Sequence, residues 1–336
     1  MKAIVFGLGS MGKRRIRCLR HLGIAEIVGV DLREDRRAEV QERYNITTFA
    51  AFQNAILDFV PDIAIISVPP KVHVEAMRSC IERGIPFFVE ASVVDEGLDE
   101  IIELVRKNGI VAAPSTTLYF HPAIQEVFKI VRSGVLGDIS NVMLHSGQYL
   151  PDWHAYESVG DYYVSDPATG GAREIVPFEM TWVTDLFGFP RRVAGNYRKT
   201  IEIDGAPLID DTYNCILDYG SFLATLTVDV VSRHATRRLL INGKRGQLVW
   251  SWDQNSIRVF DGDSGNWSET PYKMEGAEAG YNENIGENMY IDEIRAFLKT
   301  VAGEEKFPNS LEKDHKVLKL LYAIERSDQT AKFQDF

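Results

Sequence analysis

The sequence predicts an α/β protein that opens in a doubly wound parallel sheet. Three observations carry this reading. Short apolar runs alternate with helix-length segments over the first third, a glycine-rich turn follows the first run, and 336 residues suffice for two domains of ordinary size. The runs are Ala3-Ile4-Val5-Phe6, Ile27-Val28-Gly29-Val30, Ile63-Ala64-Ile65-Ile66, Phe87-Phe88-Val89 and Ile110-Val111-Ala112-Ala113. Each is short and apolar throughout, as a strand covered on both faces requires. Between them, Leu98, Ile101, Ile102 and Val105 recur at helical spacing ahead of Asn108-Gly109, and Val72, Ala76 and Ile81 precede Gly84. Both glycines suit left-handed helix stops.

The sharpest local signal is Gly7-Leu8-Gly9-Ser10-Met11-Gly12, which follows the first strand and opens a helix near Met11. The first glycine allows a tight turn, the second lets backbone approach a pyrophosphate, and the third lets helix and strand pack closely. The helix N-terminus supplies N–H groups and a positive dipole. Asp31 ends the second strand about 20 residues on, where a carboxylate accepts hydrogen bonds from an adenosine ribose diol. Gly7, Gly9, Ser10, Met11, Gly12 and Asp31 are therefore expected to hold a dinucleotide. Asp31 disfavours a 2′-phosphate, so NAD is expected over NADP; Arg33, two residues on, leaves NADP open because guanidinium pairs with phosphate. Lys13-Arg14-Arg15, with Arg17 and Arg20, reads as a mostly solvated helix face in which one arginine reaches the pyrophosphate.

Charge and composition exclude other classes. Lys plus Arg number 37 against 48 Asp plus Glu, a net charge of −11, so nucleic acid is not an expected partner. Cys18, Cys80 and Cys215 lie far apart with no Cys-x-x-Cys, which predicts neither a disulfide framework nor a metal site and fits reduced thiols in a cytoplasmic protein. The apolar run at the N-terminus is too short for a signal peptide, and no stretch is long enough to span a bilayer, so no membrane association is expected.

Ser67-Val68-Pro69-Pro70-Lys71-Val72-His73, with Glu75-Ala76 and Gly84, then Phe87-Phe88-Val89-Glu90, resembles the glucose-fructose oxidoreductase/inositol dehydrogenase/MocA family. His121-Pro122-Ala123, Ser133-Gly134-Val135-Leu136-Gly137-Asp138-Ile139 and Ala323-Ile324-Glu325-Arg326-Ser327 extend the resemblance along nearly the whole chain. It implies a Rossmann domain over residues 1–118 and an α/β domain over 119–336 for substrate binding and oligomerisation. That second domain would have a large open, mainly antiparallel sheet, with the C-terminal helix free to pack back towards the first domain. It also implies hydride exchange between a nicotinamide and a sugar, polyol or nucleotide sugar, in a homodimer or homotetramer built through the sheet. Val68, Pro69, His73 and Glu90 join the expected cofactor contacts, Glu90 near the nicotinamide ribose. Local patterns agree: a helix from about Pro122 to Arg132, alternating residues over 212–217 and 222–228, turns at Asn242-Gly243 and Asp261-Gly262, and a closing helix over 313–327.

Two departures shape the functional reading. Where the family usually has Glu-Lys-Pro, this chain has Glu90-Ala91-Ser92, and its Gly-Gly-Gly to Asp to His landmark falls at residues 169–180, which contain no histidine. A group that takes the substrate's hydroxyl proton must come from elsewhere. Residues 145–174 are dense in aromatic and polar side chains suited to a hydroxylated ring. His154, whose side-chain type titrates nearest neutrality, Tyr163, and Glu174 if desolvated are the candidate acid/base groups. Tyr149, Trp153, Tyr156, Arg173, Glu179 and His121 are the candidate substrate contacts, Arg173 as a bidentate clamp. His121 equally suits a cap on the helix it precedes. Pro177 suits a first helical turn, which would start that helix at Val176 and leave Arg173-Glu174 in the approach loop. The expected activity is NAD-dependent oxidation or reduction of a sugar or nucleotide sugar, a place in carbohydrate metabolism. Two alternatives stand beside it: a catalytically altered or inactive NAD-binding sensor or partner subunit, and an epimerase or lyase that recycles NAD without net redox change.

Overall fold

The computed structural model describes residues 1–154, 157–274 and 286–336, except the side chains of 57 and 58. They form two compact units: Met1–Thr117 with Tyr290–His315, and Leu118–Met289 with Lys316–Phe336. In chain order the first unit runs β1 (Lys2–Phe6), α1 (Ser10–His21), β2 (Glu26–Val30), α2 (Glu34–Tyr44), β3 (Thr47–Phe49), α3 (Phe52–Asp58), β4 (Ile63–Ile66), α4 (His73–Ile81), β5 (Phe87–Val89), α5 (Leu98–Asn108) and β6 (Ala112–Pro114).

All six strands are parallel, in the order β3-β2-β1-β4-β5-β6. Ala3, Ile4 and Val5 of β1 and all four residues of β4 are fully buried, as a central strand between two helical layers demands. The strand order reverses between β1 and β4, and ligands of such sheets bind beyond the carboxyl ends of the strands at that reversal. β3 escaped the apolar pattern: Thr47-Thr48-Phe49 is a short edge strand with no need to be apolar on both faces. The basic run on α1 corrects the expectation of a solvated face. Lys13, Arg14 and Arg15 are all buried, because each finds a partner: Lys13 pairs with Glu39 at 2.7 Å, the Arg14 guanidinium lies 4.2 Å from the Tyr290 ring centre, and Arg15 meets two carboxylates.

The chain continues through α6 (Pro122–Arg132), β7 (Ile139–Tyr149), α7 (Ala172–Phe187), β8 (Arg192–Arg198), β9 (Thr212–Asp218), β10 (Leu223–Asp229), β11 (Val231–Gly243), β12 (Gly246–Ser251), β13 (Ser256–Asp261), β14 (Asn266–Pro271), α8 (Glu287–Val301), α9 (Leu311–Thr330) and β15 (Gln334–Asp335). The second sheet has the order β14-β13-β12-β11-β7-β10-β9-β8-β15 and is antiparallel except at β7-β10. Alternation gives it two faces. Val142, Leu144, Leu226, Val228, Leu239, Ile241 and Trp250 are buried on one, where α7 packs on β9 and β10 and α6 packs on β13. Met143, 50% exposed, with Ile216 and Leu223 is on the other.

α7 also departs from expectation. It begins at Ala172, so Arg173 and Glu174 lie in its first turn and Pro177 lies inside it. Gly171 makes the earlier start feasible: it caps the helix at φ 68°, and a Cβ there would sit 2.6 Å from the Asp210 carbonyl. Pro177 removes one interior backbone bond, a loss offset by the burial of this helix on the sheet.

Candidate active site

The glycine loop joins β1 to α1. Gly7 has φ 83°, and a Cβ on it would come within 2.3 Å of the Ser67 carbonyl, while a Cβ on Gly12 would come within 1.8 Å of the Gly7 carbonyl. The loop therefore packs β1, the end of β4 and α1 at distances only glycine permits. Gly9 caps α1 with no side-chain bond, and no acidic residue lies in the helix's first turn, so Ser10, Met11 and Gly12 begin a helix whose dipole favours an anion at its N-terminus. Asp31, at the end of β2, accepts the Leu8 amide at 2.7 Å through one oxygen and the Arg33 amide at 2.8 Å through the other. Its carboxylate is thereby held beside the loop, where an adenosine ribose diol would be read. The Arg33 side chain turns away to pair with Asp35 at 2.6 Å.

Beyond β4 and β5, Glu90 is gripped by a network the sequence did not reveal. Arg15 donates to both its oxygens, at 2.6 and 2.9 Å, and Ser67 Oγ donates at 3.1 Å. The same guanidinium reaches Glu293 at 2.8 Å, and that carboxylate also accepts from the Thr116 amide at 2.6 Å and the Thr117 hydroxyl at 2.8 Å. Arg15 is 0% exposed. Burial opposes its charge, but the two carboxylates outweigh that and raise its pKa, so it stays a cation. Val68 and Pro69 form the turn after β4, stapled by His73, whose Nε2 meets the Val68 carbonyl at 2.8 Å; desolvation lowers this imidazole to about 4, so it is neutral near pH 7.

In the second unit, the three expected acid/base residues gather in one neighbourhood. Tyr163 donates its hydroxyl to Glu174 Oε1 at 3.4 Å, Tyr162 meets Tyr163 edge-on, and the His154 ring lies 4.7 Å from that of Tyr162. His154 Nδ1 is also 3.6 Å from Glu157. Glu174 is half-buried, and desolvation pushes its carboxyl up to about 8 against the smaller opposing effect of the Tyr163 bond. It can therefore hold or release a proton near neutral pH. The buried Trp153 indole N–H has no hydrogen-bond partner among the described residues.

The other expected substrate contacts sit in the framework. Arg173 is engaged with Glu325 at 2.6 and 3.2 Å and with the Ala168 carbonyl at 2.7 Å, and Tyr213 donates to the same Glu325. Glu179 is fully buried and bridges Trp182 Nε1 and Arg237. His121 Nδ1 accepts the Ala123 amide at 3.1 Å as the cap of α6; desolvation, then Arg237, lowers it to about 3. Arg233 stacks on Tyr149 at 3.9 Å. Tyr156 lies outside the described residues. Of the residues the sequence reading missed, Arg15 carried one usable signal, its place on α1 one turn past Gly12. Among the described residues no His/Cys/Asp/Glu group of three is arranged to hold a metal ion, and no helix is long and apolar enough to cross a membrane.

Residues 1–115 match the model of an oxidoreductase family with an NAD-binding Rossmann fold, and residues 124–249 match the GFO/IDH/MocA C-terminal domain. The oxidoreductase YhhX of Escherichia coli strain K12 is 23% identical over 220 residues, 64% of this chain and 61% of that protein, so the alignment spans under two thirds of the relative. The fold is shared with levoglucosan dehydrogenase in complex with NADH and levoglucosan, at TM-score 0.85 and 17% identity over 100% of this chain and 99% of that one. It is shared also with an oxidoreductase from Agrobacterium radiobacter in complex with NAD+, L-tartaric acid and magnesium, at TM-score 0.81 and 13% identity over 100% and 98% of the two chains.

Proposed function

The chain belongs to the GFO/IDH/MocA oxidoreductase family and carries its NAD-binding Rossmann domain, and from that premise we propose that it oxidises or reduces a carbinol of a sugar or nucleotide sugar, with Glu174 as the proton-exchanging group. The observation that carries the assignment is the Glu174 carboxyl, pushed up to about 8 and in contact with Tyr163. The residues of the glycine loop and Asp31 fit a dinucleotide: only glycine can occupy positions 7 and 12, and the Asp31 carboxylate is fixed beside the loop. When bound, the nicotinamide supplies the hydride acceptor or donor. In the oxidative direction, the ionised Glu174 takes the hydroxyl proton as the carbinol carbon gives up its hydride and the carbon–oxygen double bond forms. Tyr163 steadies the carboxylate, and His154, in the same aromatic group, is the next candidate to pass the proton on.

Glu174 takes over here from the lysine replaced by Ala91 and the histidine absent from residues 169–180. Trp153, with a buried indole donor, and the ring contacts among His154, Tyr162 and Tyr163 support a ring-shaped, hydroxylated substrate. The open face of the second sheet, with Met143, Ile216 and Leu223 exposed and a depression of about 660 Å³ reaching His145 and Arg238, supports assembly of two or four copies through that face. The test is a screen of hexoses, polyols and nucleotide sugars with NAD+ across pH, read by NADH formation. The reading expects turnover with at least one of these that Glu174→Gln lowers roughly 10²-fold or more. Substrate conversion with tightly held NAD and no net NADH would establish the cofactor-recycling alternative instead, and binding of NAD without any turnover would establish the sensor.

A further inference from the structure

We propose that Arg233 sets the substrate class by recognising an oxyanion, carboxylate or phosphate, carried by the sugar, an inference that rests on the substrate reading given above. Arg233 stands in a bulge of β11. Val231 pairs with Tyr149 and Thr236 with Gly147, so Ser232 to Ala235 stand opposite Gln148 alone. Bulges re-aim side chains, and they recur beside active sites. This one is braced at both ends. Asp229 accepts the Val231 amide at 3.1 Å and the Ser232 amide at 2.8 Å, while Trp252 Nε1 donates to the Ala235 carbonyl at 2.8 Å. A Cβ on Gly147 would come within 2.3 Å of Ser232 Oγ, so glycine there lets the bulge lie down on β7.

The braced bulge places the Arg233 guanidinium over the Tyr149 ring, 3.9 Å from its centre. A guanidinium held over a ring keeps N–H donors for a two-pronged bond to an oxyanion. Tyr149 ends β7, and the chain runs on through a turn, closed by the Trp153 amide on the Leu150 carbonyl, into Trp153 and His154, the residues assigned above to the substrate. The Leu150 amide bonds the Val230 carbonyl, which ties that turn to the chain entering the bulge. Charge also marks Arg233. In the same unit Arg173, Arg192, Arg198 and Arg237 each pair with a carboxylate, whereas Arg233 is exposed and has no carboxylate partner among the described residues. Asp229, the anchor of the bulge, commits its carboxylate to His145 at 2.7 Å, to Ser232 and to the two amides, which together hold it below the usual carboxylate range against the opposing effect of burial. In a chain of net charge −11 an anionic substrate meets a general repulsion, so its recognition needs a local cation fixed in place, and Arg233 meets that need.

The experiment compares glucose, glucuronate, glucose phosphate and UDP-glucose, each with saturating NAD+, on full-length wild type, Arg233→Gln and Arg233→Lys. Calorimetric titration reads binding, and NADH formation reads kcat/KM. Wild type should bind glucuronate or a phosphate-bearing probe more tightly than glucose. Arg233→Gln should lower that preference roughly tenfold or more, the size of a lost charge-assisted bond, and Arg233→Lys should recover part of it. Loss confined to glucuronate identifies a carboxylate, and loss confined to the phosphate-bearing probes identifies a phosphate. Wild type that favours glucose, or Arg233→Gln that keeps the anion preference or weakens glucose and anions alike, overturns the proposal. Anion binding that depends on Arg233, without NADH formation in wild type, upholds the proposal and overturns the redox reading. NADH formation from glucose with no anion preference does the reverse, and wild type that binds no probe overturns both. Salt should weaken anion binding more in wild type than in Arg233→Gln, and an unchanged unfolding temperature for Arg233→Gln shows that the fold is not the cause.

Discussion

Glu174 ties the proposed chemistry to a quantity measurable without a substrate. In the folded chain its carboxyl titrates near 8, against roughly 4.3 in an unfolded chain. Between those values the folded chain keeps a proton that the unfolded chain has released, so the residue's contribution to stability is fully present below about pH 4.3, falls as pH rises, and levels off above about 8. At about 1.36 kcal/mol per pKa unit the full gap corresponds to an upper bound of about 5 kcal/mol. Glu174 is only half-buried, and solvent screening brings the expected loss to about 2 to 3 kcal/mol. Glutamine has the same shape and no proton to lose. Urea unfolding of wild type and Glu174→Gln, followed by tryptophan fluorescence at several values between about pH 5 and pH 9, should therefore show wild type losing stability relative to the variant as pH rises. Tyr163→Phe removes the bond that favours the ionised form and should move the window upward. Stability curves for wild type and Glu174→Gln that stay parallel across this range would refute the reasoning, since the carboxyl would then titrate alike in both states.

Other outcomes follow from the first unit and the open sheet. Asp31→Ala should weaken NAD+ binding more than NADP+ binding, measured by titration; an unchanged preference would remove the ribose role. Arg15→Met leaves the buried Glu293 and the half-buried Glu90 without their shared cation and should cost about 3 to 5 kcal/mol in urea unfolding; a cost under about 1 kcal/mol would mean that water reaches the pair. Met143→Arg on the exposed sheet face should shift sedimentation from an assembly to single chains without altering the unfolding transition of the chain; an unchanged sedimentation coefficient would place the interface elsewhere.

The parallel strands were legible because burial on both faces forces short, fully apolar runs, and the glycine loop was legible because close packing admits one residue type. β3 was not, since an edge strand of three residues can be polar. Pro177 misled by looking like a first-turn proline, although Gly170-Gly171 already marked the true entrance to α7. The carboxylate of Asp31 followed from its place at the end of β2, but the network around Glu90 did not, because Arg15 stands 75 residues away from it and Glu293 farther still. Glu174 was a candidate by type alone. What singles it out, desolvation beside Tyr163, is a property of packing that residue identity does not carry.

The central claim is that this chain exchanges hydride with NAD while Glu174 exchanges the proton. The most direct test is the pH dependence of kcat/KM for the best alcohol substrate, in wild type and Glu174→Gln. The account predicts a rise with pH through a midpoint near 8 in the oxidative direction, absent from a variant slowed roughly 10²-fold or more. A variant that keeps both the midpoint and near-wild-type turnover would contradict it and pass the proton to a residue of the segment before α7, His154 first.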